Sequence, residues 1–154
     1  MKNKDEFYMK YALKEAKKAL EKKEVPIGCV IVKDDKIIAS AYNLKETEQN
    51  ATHHAEILAI NQASKILNSW RLDKCEIYVN VEPCLMCLGA IVSARFKRLI
   101  FGIKDIKYGS LEKILEKYLE NYNHYLEVTS NILANESRLI LDSFFKKLRV
   151  DNKS

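Results

Sequence analysis

Hydrophobic positions change their period several times along the 154-residue chain, and each change marks an element. From Asp5 to Lys23, Phe7, Tyr11, Leu13, Ala16 and Leu20 recur at roughly 3.6-residue spacing, which predicts an amphipathic helix with those side chains on its core face. Pro26 and Gly28 end that pattern. Two β-branched runs follow, Ile27–Val32 and Lys36–Ala41, with Asp34-Asp35 between them as a hairpin turn. Tyr42–Ala51 is polar and aperiodic, hence a loop, and Thr52 reads as the cap of a helix over His53–Leu67 with Ile57, Ile60 and Ala63 inward. Cys75–Val81 reads as a buried strand, Cys84–Ala94 as a helix of small and apolar residues, and Lys97–Phe101 as a short strand. Gly102–Ser110 is a loop, Leu111–Leu119 a helix and His124–Val128 a further strand. A last amphipathic helix begins near Asn131 or Asn135 and runs to Arg149, with frayed residues after it.

Alternating helices and strands after an opening hairpin predict an α/β fold, a three-layer α/β/α sandwich with a mixed five-stranded sheet. No repeat, low-complexity tract or linker divides the chain, so residues 1–154 read as a single domain. A hydrophobic content of 47% is too high for a disordered chain and sufficient for a core. Apolar runs such as Val25 to Val32 are far short of the ~20 residues of a membrane span. Met1-Lys2-Asn3-Lys4-Asp5-Glu6 offers no apolar signal segment. We therefore expect a soluble, cytoplasmic protein with no membrane contact, in which structural disulfides are not expected.

The scarce residues change the picture more. Of two prolines and four cysteines, Pro83, Cys84 and Cys87 fall within five consecutive positions. Two cysteines at i and i+3 of a helix start can face one point, and a helix N-terminus favours their thiolates. Alone, the pair leaves a metal site, a redox pair and inert buried cysteines all open. Thirty residues upstream stands His54-Ala55-Glu56. If His54 converges with Cys84 and Cys87, the three form an open ligand set for zinc, whose fourth position is left to water. No fourth protein ligand is evident: Cys29 and Cys75 read as core residues of strands, and His53 lacks the x-Glu partner and reads as a surface or RNA-facing residue. Glu56 then stands beside the metal as a carboxylate able to move protons.

His-x-Glu followed by Pro-Cys-x-x-Cys is the signature of zinc nucleobase deaminases. With it, the chain resembles the bacterial tRNA-specific adenosine deaminases of the cytidine deaminase superfamily. The likeness runs through Glu24-Val25-Pro26-Ile27-Gly28, His54-Ala55-Glu56, Glu82-Pro83-Cys84-Leu85-Met86-Cys87, Ile132-Leu133-Ala134-Asn135-Glu136 and Phe144-Phe145-Lys146-Lys147-Leu148-Arg149. The resemblance implies a cytidine deaminase-like sandwich that converts the wobble adenosine of a tRNA anticodon to inosine and releases ammonia. It implies one Zn2+ per subunit on His54, Cys84 and Cys87, with Glu56 carrying protons to the purine ring and the leaving amine. Asn43 would hydrogen-bond the purine, and Val25, Pro26 and Ile27 would form the wall against it. Asp105, Phe144, Phe145 and Arg149 are the further RNA contacts it suggests, and a homodimer would hold the anticodon stem-loop between its subunits. Two departures stand out: loop 102–110 is short, and Asn80-Val81 replaces Thr-Leu before Glu82.

Read without the resemblance, several of these residues have plainer roles. Asn43 is a turn former, Trp70 with Arg71 and Leu72 is a packed helix-to-strand connection, and adjacent Phe144 and Phe145 cannot both face the core squarely. The net charge of +5 gathers in two stretches. Arg95, Lys97, Arg98, Lys104 and Lys107 oppose Asp105 alone, and Arg138, Lys146, Lys147, Arg149 and Lys153 oppose Asp142 and Asp151. Such stretches suit phosphate contacts. Two other functions compete: a zinc deaminase of a free base, nucleoside or nucleotide, which needs no basic surface, and a nucleic-acid-binding module with a structural zinc, which needs no Glu56.

Overall fold

The computed structural model describes residues 2–105, 107–109, 111–120 and 124–153. Its elements follow the expected order: α1 (Lys2–Glu21), β1 (Gly28–Lys33), β2 (Lys36–Tyr42), α2 (Ala55–Leu67), β3 (Cys75–Val81), α3 (Leu85–Ser93), β4 (Arg98–Ile103), α4 (Leu111–Glu120), β5 (Glu127–Thr129) and α5 (Ala134–Lys153). The sheet order is β2-β1-β3-β4-β5. β1 pairs antiparallel with β2 and β3, whereas β3, β4 and β5 run parallel, so the sheet is mixed as expected. The hairpin turns at Asp34 and Asp35, whose φ values of 50° and 61° are both left-handed, the conformation of a two-residue turn that matches strand twist.

Two apolar clusters cover the faces of the sheet. One joins the inward side chains of α2, α3 and α4, among them Ala59, Leu88, Ile91 and Leu111, to Ile31, Ile77 and Leu99. The other joins Tyr8, Met9, Ala12 and Leu13 of α1 to Val30, Tyr78 and Ile100. α5 packs on α1, β3 and β4 from that second side. Among the described residues, no helix is long and apolar enough to cross a membrane.

Several local expectations are corrected. α1 buries Tyr8, Met9, Ala12, Leu13, Ala16 and Ala19, while Phe7 is 53% and Tyr11 37% exposed. The reason lies in β1: a Cβ on Gly28 would collide with the backbone of Ala12 and Ala16, so helix and strand approach too closely for large side chains. In α2 the inward positions are Ala55, Glu56, Ala59 and Ala63, with Ile60 partly buried against the core and Ile57 outside it. Thr52 does not cap that helix; His54 holds the N-cap position. Trp70 is 61% exposed, and only Leu72 of that connection is buried. β5 is shorter than expected, and α5 continues helically to Lys153 beyond Arg149. Arg98 is no phosphate contact, because it is buried among Asp5, Glu76 and Glu127. Cys29 and Cys75 are buried core residues as expected. Ile106 and Ser110 of the short loop lie outside the described residues.

Candidate active site

The site is built where α2 and α3 begin. The chain leaves the carboxyl end of β3, passes Glu82-Pro83 and enters α3 with Cys84 at the N-cap, just as His54 occupies the N-cap of α2. Both caps have extended backbone, at φ −78°, ψ 154° for His54 and φ −73°, ψ 175° for Cys84, and neither side chain makes the usual capping hydrogen bond. Side chains released from capping can instead point off the helix ends towards each other.

They do. His54 Nδ1 lies 3.7 Å from Cys84 Sγ and 3.5 Å from Cys87 Sγ, and one ligand atom from each residue falls within 4.8 Å of the others. Two ligands at about 2.0 and 2.3 Å from a tetrahedral zinc stand about 3.5 Å apart, so this donor set fits that ion. Without metal, the Cys87 thiol beside Cys84, joined by His54, draws the Cys84 thiol down to about 4. Cys87 is raised, first by sharing its proton with Cys84 and then by burial. His54 is raised by its bond to Cys84.

Glu56, in the first turn of α2, is buried, and its Oε1 has no hydrogen-bond partner among the described residues. Burial pushes its carboxyl up to about 7. A buried, unpartnered carboxylate oxygen is costly unless something else is to meet it. The cluster therefore brings together three donors that could hold a metal ion and, in the first turn of α2, a buried carboxyl.

Further expected residues lie on two rims, one joined to the start of α2 through Leu44 N and His53 O (3.1 Å), the other joined to Cys84 through Gly109. On one, the carbonyls of Val25, Pro26 and Ile27 are all engaged: Val25 O accepts from Asn43 Nδ2 (3.3 Å), Pro26 O from Asn80 Nδ2 (3.0 Å) and Ile27 O from Asn43 N (3.0 Å). Asn43 Oδ1 accepts from Lys45 N at 3.2 Å, so the expected turn role is filled, while one amide hydrogen and one lone pair have no partner among the described residues. Glu24, fully buried, accepts from the backbone N–H groups of Glu46 (3.1 Å) and Thr47 (2.6 Å) and so holds the loop that carries Asn43. On the other rim, Glu82 accepts from Asp105 N (3.1 Å) and Leu111 N (3.2 Å), and Gly109 bridges to Cys84. Asp105 turns its carboxylate onto its own loop, where Oδ1 accepts from the N–H groups of Lys107 and Tyr108, both at 3.0 Å.

Other expected contacts are placed elsewhere. His53 pairs with Glu48 at 2.6 Å. On α5, Phe144 is half-buried, Phe145 is 42% exposed with its ring 5.1 Å from that of Phe144, and Arg149 is exposed. A groove of about 780 Å³ between β2 and α2, lined by Tyr42, Leu58, Gln62 and Trp70 among others, contains none of the metal-site residues. Sequence reasoning missed Glu24, Glu82 and Asn80 as supports of the rims. Their signal is their place: Glu24 and Glu82 sit within the motifs that carry the resemblance, and Asn80 stands out only as a departure from it.

Comparison with known proteins agrees with this geometry. A model of the MafB19-like deaminase family matches residues 2–149. The chain is 48% identical over 153 residues to the tRNA-specific adenosine deaminase of Bacillus subtilis (strain 168), covering 97% of this chain and 94% of that protein. A solved structure from studies of A-to-I editing by tRNA A34 deaminases at the wobble position of transfer RNA superposes with a TM-score of 0.81 at 39% identity, over 88% of this chain and 99% of that one. The guanine deaminase of Bacillus subtilis superposes over 64% of either chain, with a TM-score of 0.61 and 40% identity.

Proposed function

The chain belongs to the MafB19-like deaminase family and within it to the tRNA-specific adenosine deaminases, and from that premise we propose that it hydrolyses the wobble adenosine of a tRNA anticodon to inosine. One observation carries the reading: the donor atoms of His54, Cys84 and Cys87 gather within 4.8 Å, and the unpartnered carboxylate oxygen of Glu56 is buried two residues from the first of them.

In this reading His54, Cys84 and Cys87 hold one zinc ion per chain. When bound, zinc supplies the activation of water near neutral pH that hydrolysis requires. Glu56 accepts a proton from the attacking water and passes protons to the purine ring and to the departing amine. Water oxygen ends on C6, the C6–N bond breaks, and ammonia leaves, so no redox partner is required. Asn43 holds the purine edge with its spare amide hydrogen and lone pair. Val25, Pro26 and Ile27 support the base, which leaves the RNA stack to reach them. Asp105 shapes the opposite rim, Phe145 and Phe144 stack on RNA bases, and Arg149 meets phosphate. The enzyme works in the cytoplasm as a homodimer, whose two subunits together hold the anticodon stem-loop.

The test is formation of inosine in a tRNA with adenosine at the wobble position, with and without a zinc chelator, and with guanine as a second substrate. Inosine formed only without chelator is the expected result. No conversion by zinc-loaded protein refutes the substrate, and turnover of guanine instead establishes the free-base reading that the guanine deaminase likeness favours.

A further inference from the structure

Asn80 is fully buried in β3, and its side chain makes three hydrogen bonds to two different parts of the molecule. Oδ1 accepts from Gly28 N at 2.8 Å, and Nδ2 donates to Pro26 O at 3.0 Å and to Ser137 Oγ at 3.2 Å. Ser137, fully buried in the first turns of α5, donates its hydroxyl back to Asn80 O at 2.7 Å. One amide thus holds the segment 25–28 and α5 against the same point of the sheet. Threonine, which the resemblance places here, has one hydroxyl and cannot reach all three partners. Two glycines allow the close approach: a Cβ on Gly28 would meet the backbone of α1, and one on Gly102 would meet the carbonyl of Asn80 itself.

We propose that Asn80 is a positioning residue that fixes the register between the base-supporting wall Val25-Pro26-Ile27 and the C-terminal helix α5, so that pocket and RNA-contacting helix act as one rigid surface. The claim rests on the function proposed above, in which wall and helix meet the same RNA. A buried amide serving only stability would lower the melting temperature and leave substrate handling alone. A positioning amide shifts kcat and KM, because small misplacements at a reacting centre cost up to about 100-fold in rate.

The experiment uses zinc-loaded full-length protein and an anticodon stem-loop RNA with adenosine at the wobble position. Parent, Ser137→Ala, Asn80→Thr and Asn80→Ala are compared at a temperature where their circular dichroism spectra coincide. Ser137→Ala frees α5 but leaves the bonds to Gly28 and Pro26, so it raises KM about 3- to 10-fold with kcat unchanged. Asn80→Ala also frees the wall and lowers kcat/KM about 100-fold, with Asn80→Thr between them. Parent-like kcat and KM in Ser137→Ala and Asn80→Thr overturn the proposal, even if Asn80→Ala fails to fold. If the parent itself makes no inosine, the functional reading fails separately, and amide exchange decides. Faster exchange at Gly28 than at Ile100 in Asn80→Thr upholds the clamp, and equal change at both sites overturns it.

Discussion

The two ends of the parallel strands β3, β4 and β5 bury charge in opposite ways. At their amino ends, Arg98 is enclosed by acids: Nη1 donates to Asp5 Oδ1 (3.1 Å) and Glu76 Oε2 (2.7 Å), Nη2 to Asp5 Oδ2 (2.9 Å) and Thr129 Oγ1 (2.9 Å), and Nε lies 3.0 Å from Glu127 Oε2. Tyr78 adds a bond to Asp5 at 2.9 Å and Lys4 one to Glu76 at 3.0 Å. At the carboxyl ends, the buried Glu56 keeps an oxygen without a partner, and two helix caps turn away from their own helices to form a donor set. The first cluster is closed, in that every charge faces an opposite charge; the second is open, in that the buried Glu56 keeps an oxygen that meets no hydrogen-bond partner among the described residues. Polar burial alone therefore does not mark a functional site. Nor does an unpaired polar atom, since Glu15 Oε2 and Arg98 Nε also lack hydrogen-bond partners among the described residues. What singles out Glu56 is its place beside a three-donor set beyond the carboxyl ends of the strands, where open α/β sheets bind ligands.

The largest expected effect tests the open end. Glu56→Gln lowers inosine formation about 10²- to 10⁴-fold, the usual value of a positioned acid–base group, while the melting temperature stays level or rises because a buried carboxylate has been neutralised. At the closed end the pattern reverses. Arg98→Ala leaves Asp5 buried without its cation and Glu76 with Lys4 alone, which destabilises the fold by about 3–5 kcal/mol, while kcat per folded molecule is unchanged. Denaturant titration and single-turnover kinetics on both variants break the comparison if Glu56→Gln costs as much stability as Arg98→Ala. Glu24→Gln is intermediate. It weakens the two charge-assisted bonds to the N–H groups of Glu46 and Thr47, costs about 1–3 kcal/mol, and raises KM for RNA more than it lowers kcat.

The open end was legible in the sequence because its chemistry is carried by rare residues at fixed spacing. His54, Glu56, Cys84 and Cys87 could be grouped before any element was placed, and the strand Cys75–Val81 matched its apolar run to the residue. The closed end was not legible. Asp5, Glu76, Arg98 and Glu127 are common charged residues spread over four elements, and nothing local tells a buried Arg98 from the exposed lysines near it. The face of α1 was misread for a related reason: periodicity weights large side chains, whereas the close approach at Gly28 selects small ones and turns Phe7 and Tyr11 outward. The rims were half legible. Their motifs were visible, but the roles of Glu24, Glu82 and Asn80 depend on partners far along the chain, such as Thr47 N, Asp105 N and Ser137 Oγ, that no local pattern specifies.

The smallest expected effect concerns the start of α2. Thr52 was the natural cap by residue type, and capping side chains are worth about 1 kcal/mol. In the fold it stands two residues before the N-cap, exposed, with its N–H and hydroxyl both bonded to Asn50 Oδ1, at 2.9 and 2.8 Å. The cap position belongs to His54, whose ring faces the two cysteines instead of the helix. Thr52→Ala should therefore change stability by less than about 0.5 kcal/mol, as for an ordinary surface site, and leave inosine formation at the parent rate. A loss near 1 kcal/mol in denaturant titration would mean that α2 is capped after all. The small effect expected has the same origin as the large one at Glu56: the start of α2 turns His54 towards the two cysteines and not back onto its own helix, so the helix begins without the side-chain bond that its sequence could have supplied.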